Sequence, residues 1–294
     1  MARFINPFTD IGFKRIFGQE FSKPLLLDFL NNLLAGEQVI KELTFLDKEQ
    51  PAIYADDRSL IYDIYCTTDN NENIIVEMQN KDQSFFKKRS IYYVSEAIAR
   101  QGEKGSLWKY QIKAVYLIAF LNFKNNEIGN TFRTDVALMN TATKELFSHD
   151  IRMTYLQLPF FNKEVEECNT GFERWIYVLK HMDILDRLPF EAQSSVFRKL
   201  SQIADISALS KEERLKYDEG IKKYRDTLCV MDFAINNGRK EGIEQGRKQG
   251  IEEGRKEGRK EVRLENARKV KQKGYPIEDI ADITGLTMAE IEAL

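Results

Sequence analysis

The sequence predicts an α/β protein in which helices pack on a central sheet and a helical extension follows. Two observations predict it. Segments with apolar residues at helical spacing are interleaved with short β-branched apolar runs, in the order helix, three strands, helix, strand. After residue 237 the composition changes abruptly, to glycine at every fourth position among charged residues. A chain of 294 residues, 43% hydrophobic and 11% aromatic, has the material for one large core and an appendage.

Residues 8–34 read as helix, because Phe13, Ile16 and Phe17, then Leu26, Leu27, Phe29, Leu30, Leu33 and Leu34, recur at helical steps. The stretch from Gly18 to Ser22 interrupts them, and Pro24 suits the first turn of a second helix. Segments 39–47, 59–67 and 73–79 read as strands, the last two joined by the polar turn Thr68-Asp69-Asn70-Asn71-Glu72. Helix resumes at 84–101, with Phe86, Ile91, Val94 and Ile98 as its apolar stripe. A buried strand is expected at 112–121, and further strands at 130–138 and 152–158. From 164 to 237 the pattern is mainly helical, marked by Trp175, Val178 and Leu179, then Phe197, Leu200 and Ile203, then Tyr224, Leu228, Met231 and Ile235. These helices are expected to brace the sheet, completing a main domain over residues 1–237.

The segment 238–262 is expected to be a charged helical spacer. Gly238, Gly242, Gly246, Gly250, Gly254 and Gly258 would each cost about 1 kcal/mol against alanine in a helix. The pairs Glu244–Lys248 and Glu252–Lys256 return only about 0.2–0.5 kcal/mol each. Close packing of the glycines on another helix would support the segment and make a homo-oligomer. Eight Lys/Arg against six Glu in 238–261 read as a solvated face rather than a nucleic-acid arm, because interleaved acids weaken attraction for phosphate.

Residues 263–294 are expected to form a small helix-turn-helix-like module. A short helix begins at Ala267 and stops at Gly274, a second follows Pro276, and Thr287 caps a third with Glu290 at capping-box spacing. Ala281, Gly285 and Ile291 fit the spacing of such a motif. The last helix offers Glu290 and Glu292 and no Arg, Lys, Asn or Gln for base edges. Packing or assembly is therefore expected of it in preference to sequence reading.

The net charge of −2 gives the chain no general attraction for nucleic acid, so any such surface must be local. Cys66, Cys168 and Cys229 are far apart and form no metal or redox motif. The first residues lack an apolar run of signal-peptide length, and the longest apolar run, 114–121, is too short to span a bilayer. A cytoplasmic protein with no membrane partner is expected.

The chemistry points to residues 59–79. Asp63 lies in the run Ser59-Leu60-Ile61-Tyr62-Asp63-Ile64-Tyr65-Cys66, and Glu77 and Gln79 lie in Asn73-Ile74-Ile75-Val76-Glu77-Met78-Gln79. Side chains alternate along a strand, so Glu77 and Gln79 share a face. If the strands pair through the turn, Asp63 reaches the same patch, and two carboxylates there make a hard-oxygen site for a divalent cation. That layout is that of a metal-dependent phosphodiesterase. His149 and His181 stand alone and are expected to be structural or surface residues.

Taken with other motifs, the chain resembles the PD-(D/E)XK nuclease-like transposases, which are related to the recombination-promoting nucleases. The resemblance rests on Asn6-Pro7-Phe8-Thr9-Asp10-Ile11-Gly12-Phe13-Lys14-Arg15-Ile16-Phe17-Gly18, Leu27-Asp28-Phe29-Leu30-Asn31, Asp63, Val76-Glu77-Met78-Gln79 and Lys88-Arg89-Ser90-Ile91-Tyr92-Tyr93. It implies a restriction-endonuclease-like mixed sheet flanked by helices and cleavage of DNA with Mg²⁺, or Mn²⁺, in recombination or a mobile element. Asp63 and Glu77 would be the metal-ligating acids, with the backbone carbonyl of Met78 a further ligand. Gln79 stands where the superfamily has lysine, and Tyr62 where its motif has proline. Asp10, or more weakly Glu20, would be the acid of the first helix. The missing cation is left to Lys81, Lys87, Lys88 or Arg89, of which Lys81, Lys88 and Arg89 are also candidates for DNA contact. The alternative is a catalytically impaired nuclease fold that serves as a DNA-binding or assembly module.

Overall fold

A computed structural model describes residues 2–50, 60–83, 85–103 and 109–294. Ser59 and Ser84, at the edges of two expected elements, lie outside the described residues. The chain divides into two compact units, Met1–Leu228 and Cys229–Leu294.

The first unit opens with α1 (Asp10–Phe17) and α2 (Lys23–Leu33), the latter with a proline in its first turn. Strands β1 (Leu43–Phe45), β2 (Glu49–Gln50), β3 (Leu60–Ile61), β4 (Ile64–Thr68) and β5 (Asn73–Gln79) follow, then α3 (Phe86–Ala99). Next come β6 (Val115–Leu121), β7 (Arg133–Met139), β8 (Leu146–Gln157), α4 (Gly171–His181) and α5 (Ser195–Ala204). Helix α6 (Lys211–Gln272) is continuous over 62 residues. The expected third bracing helix, the glycine spacer and the expected short helix at Ala267 are therefore one element. The glycines do not break it, and a Cβ at any of the six from Gly238 to Gly258 would meet nothing within 4 Å.

The main sheet has six strands in the order β1-β4-β5-β6-β8-β7. β4 and β5 pair antiparallel, β5 with β6 and β6 with β8 parallel, and β7 with β8 antiparallel. This is the mixed sheet flanked by helices that the sequence predicts. β5 and β6 lie in its middle with both faces covered, which explains their near-continuous apolar runs. The expected strand 59–67 is broken instead: Leu60–Ile61 pairs with β2 in a separate ribbon, and the chain re-enters the main sheet at Ile64.

One sheet face packs on α1, α2, α4 and α5. There Phe13, Phe17, Phe29, Phe120 and Trp175 form a fully buried aromatic cluster with ring centroids 5.3–6.3 Å apart. Ile74, Val76 and Ile118 join this core, so alternation sends Ile75, Glu77 and Gln79 to the opposite face. α3 covers that face, its Ser90 hydroxyl 2.6 Å from that of Tyr155 on β8. Cys66 is a buried core residue whose thiol is pushed up to about 12 by burial. Among the described residues no helix is long and apolar enough to cross a membrane.

The turn before α1 is held by close fits. Thr9 caps the helix by accepting from Gly12 N–H at 3.0 Å. A Cβ at Gly12 would lie 2.1 Å from the Asn6 carbonyl oxygen, so only glycine fits. Asn80, directly after β5, donates to the Phe8 carbonyl at 2.5 Å. These contacts fix the start of α1 against the end of the strand that carries Glu77.

Candidate active site

Asp63 stands at the head of β4. The pairing of Ile64 with Val76, carried one residue further, sets Asp63 opposite Glu77 and points both side chains to the α3 face. The two acids are linked reciprocally across the strands. The Asp63 N–H donates to Glu77 Oε1 at 3.2 Å, and the Met78 N–H donates to Asp63 Oδ2 at 2.8 Å. Gln79 Nε2 donates to Glu77 Oε2 at 3.2 Å. The structure thus brings together Asp63, Glu77 and Gln79, the three residues singled out from alternation.

Glu77 is only 3% exposed. Burial, and next the negative charge of Asp63, push its carboxyl up to about 8. Burial also raises Asp63, opposed by the Met78 N–H and by the charges of Lys14 and Arg89. Each carboxyl is thus held above the usual carboxylate range, by desolvation first and, for Glu77, next by its neighbour's charge. Carboxylates desolvated side by side in this way fit a divalent cation, whose charge replaces the proton. Mg²⁺ needs only one or two protein carboxylates. Among the described residues no cluster of three or more His, Cys, Asp or Glu is gathered for a metal; this site offers two carboxylates, Asp63 and Glu77. The Gln79 carbonyl is already used, accepting from Asn122 N–H at 2.9 Å.

Arg89, on the second turn of α3, acts on both acids: its charge lowers Asp63 and Glu77 alike. The guanidinium lies over the rings of Phe86 and Tyr93, 5.0 and 5.7 Å from their centroids. Nη1 donates to Gln83 Oε1 at 2.9 Å, while Nε is buried with no hydrogen-bond partner among the described residues. The other cations expected as candidates stand differently. Lys81 and Lys88 are exposed, and Lys87 donates to the Glu127 carbonyl at 3.3 Å.

Asp10 is exposed at the start of α1 and paired with Lys14. Its charge reaches Asp63, raising it. Glu20 pairs with Lys23 at 2.6 Å. Tyr62 is buried and packs on Tyr65 and Tyr93 at 5.0 and 5.1 Å.

Two residues of the site received no role from the sequence. Lys14 reaches Asp63, and Tyr93 is raised by burial and by the charges of Glu77 and Asp63. Spacing held the signal: Lys14 is four residues from Asp10 and Tyr93 four from Arg89, each pair on one helix face.

A mixed sheet with an acid heading one strand, opposite a Glu-x-Gln on the next, defines a nuclease fold of the PD-(D/E)XK type. The chain belongs to the PD-(D/E)XK nuclease family transposases, whose family model matches residues 7–234. No curated protein and no solved structure matches it.

Proposed function

We propose that the first unit hydrolyses phosphodiester bonds of DNA with a divalent cation, Mg²⁺ or in its place Mn²⁺, in recombination or the movement of a mobile element. One observation carries the reading: half-buried Asp63 and buried Glu77 stand side by side across β4 and β5, joined by reciprocal hydrogen bonds. When bound, the ion would activate water and neutralise a phosphoryl oxygen. The residues of the chain divide the remaining work. Asp63 and Glu77 hold the ion, and Gln79 orients Glu77 through its amide. Arg89 supplies the positive charge that the superfamily draws from lysine, set against the charge developing on the phosphate. Asp10 and Lys14 tune Asp63 from the mouth of the site, and Lys81 and Lys88 are exposed cations for the DNA backbone.

The test is cleavage of supercoiled plasmid with Mg²⁺ or Mn²⁺. Cleavage is expected from the wild type and is expected to vanish in Asp63→Ala and Glu77→Ala, with the fold checked by circular dichroism. Cleavage that survives both substitutions removes the site assignment.

A second reading is favoured by Gln79, which carries no charge and is occupied by Glu77. On it, the fold binds DNA without cutting. Tight Mn²⁺ binding with no cleavage of duplex, nicked, branched or single-stranded DNA would establish that reading.

A further inference from the structure

The second unit, Cys229–Leu294, is built on a small core. Ala267, Ile280, Leu286 and Ile291 are buried and draw the end of α6 onto α7 (Ile277–Thr284) and α8 (Met288–Glu292). Beside this core lies an open cleft of about 460 Å³, lined by Lys256, Arg259, Lys260 and Arg263 of α6 and by Gly285, Leu286 and Glu290.

The cleft changes how the charge of this segment reads. At about 100° per residue, Lys256, Arg259, Lys260 and Arg263 fall within an arc of about 100° on the helix. Glu253, Glu257, Glu261 and Glu265 lie progressively further round, and Glu252 is the one acid of this stretch inside the arc. A nearly balanced composition therefore contains a cationic face. Lys256 is paired with Glu252 at 2.8 Å. Arg259 and Arg263 have no ion pair or hydrogen-bond partner for their guanidinium groups among the described residues. Arg263 reaches the turn between α7 and α8, where a Cβ at Gly285 would stand 3.9 Å from its Nη1. The one acid on the lining, Glu290, is engaged in the cap of α8, accepting from Thr287 N–H at 2.9 Å and from its hydroxyl at 2.8 Å, and it also feels the charge of Lys260.

We propose that this cleft grips the phosphate backbone of duplex DNA without reading its bases. Guanidinium groups suit phosphate because they can donate two parallel hydrogen bonds. The lining has no aromatic ring on which a single-stranded base would stack, and α8 presents Glu290 and Glu292 where base-reading amides or cations would be needed. The choice of DNA among polyanions rests on the nuclease reading of the first unit; the cationic cleft itself does not.

The experiment uses the full chain carrying Glu77→Gln, in EDTA, so that bound DNA stays intact. Binding of a fluorescent 30-base-pair duplex is followed by anisotropy across salt concentrations. The triple variant Arg259→Ala/Lys260→Ala/Arg263→Ala is compared with Arg239→Ala/Lys240→Ala/Arg247→Ala, which removes equal charge elsewhere on α6. Alanine favours helix, and circular dichroism confirms that both triples fold. The cleft triple is expected to weaken binding at least tenfold and to lower the salt slope by about 2–3, since each lost phosphate contact takes about 0.9 from it. The control triple is expected to keep most of the affinity.

Equal losses from both triples, or no loss from either, overturn the proposal. So does a cleft-dependent affinity for phosphatidylserine vesicles with none for DNA, which would make the surface a lipid site. Duplex RNA bound as well as DNA, with the same dependence on the cleft triple, supports backbone recognition. Failure of the nuclease reading would show separately, as absence of cleavage in chains with Glu77 intact, and leaves the comparison of the two triples readable.

Discussion

In metal-free protein, Glu77→Gln is expected to stabilise the first unit above about pH 6 and to flatten its pH dependence. The Glu77 carboxyl titrates near 8 in the fold against an ordinary 4.5. The native state therefore holds a proton that the unfolded chain has lost throughout that window, so stability falls as pH rises from about 4.5 to about 8. At about 1.4 kcal/mol per pH unit, the wild type loses roughly 2–3 kcal/mol between pH 5.5 and 7.5. For a unit of this size that is about 5–10 °C in Tm. Glutamine cannot ionise, yet its carbonyl can still accept from the Asp63 N–H, and the Gln79 amide can rotate to present its oxygen to the new NH₂ group. Thermal unfolding in EDTA at pH 5.5, 6.5 and 7.5 measures the difference directly. Mn²⁺ should then raise the Tm of the wild type at pH 7.5 and leave the variant nearly unmoved. Parallel pH profiles for the two proteins would refute the account of the buried pair.

Three further outcomes are expected. Gly12→Ala should destabilise the first unit by about 2–4 kcal/mol, because the new Cβ meets the Asn6 carbonyl oxygen at 2.1 Å and something must move; urea unfolding at pH 7 checks it. Arg89→Ala should lower the cleavage rate about 10²-fold at saturating metal, with Arg89→Lys recovering part of it; a change in DNA affinity alone would assign Arg89 to binding. Gly246→Ala together with Gly250→Ala should add about 1 kcal/mol per site to α6, seen as a more stable helix by circular dichroism. If the two alanines also leave the solution mass unchanged, the glycine face is not a close-packed interface between copies.

The centre of the site was legible because strand alternation is a short-range rule. Asp63, Glu77 and Gln79 follow from the period of two and a five-residue turn, and the structure adds only the hydrogen bonds that link them. Which of Lys81, Lys87, Lys88 and Arg89 would carry its charge to the two acids was not legible. It depends on the rotation of α3 over the sheet, which is set by contacts such as Ser90 with Tyr155, 65 residues apart in sequence. The break at Tyr62–Asp63 also escaped, since a continuous β-branched run hides a change of pairing partner from β2 to β5. Glycines at every fourth position suggested marginal helix by propensity alone, yet α6 runs through them.

The substitution at position 79 alters the electrostatics of the pair as well as removing a charge. A lysine there would project on the same strand face as Glu77, two residues away, and its ammonium would favour the ionised carboxylate. Glutamine donates a hydrogen bond to Glu77 without a charge, so burial and Asp63 prevail and the carboxyl keeps its proton to about pH 8. The counter-charges that act on the pair come from other elements, Arg89 on α3 and Lys14 on α1, and Lys14 is already shared with Asp10. On the proposed reading, part of the work of a strand lysine would fall to a helix arginine held over two aromatic rings. A divalent cation bound here would have to displace any proton held on Glu77, so metal binding would be coupled to proton release.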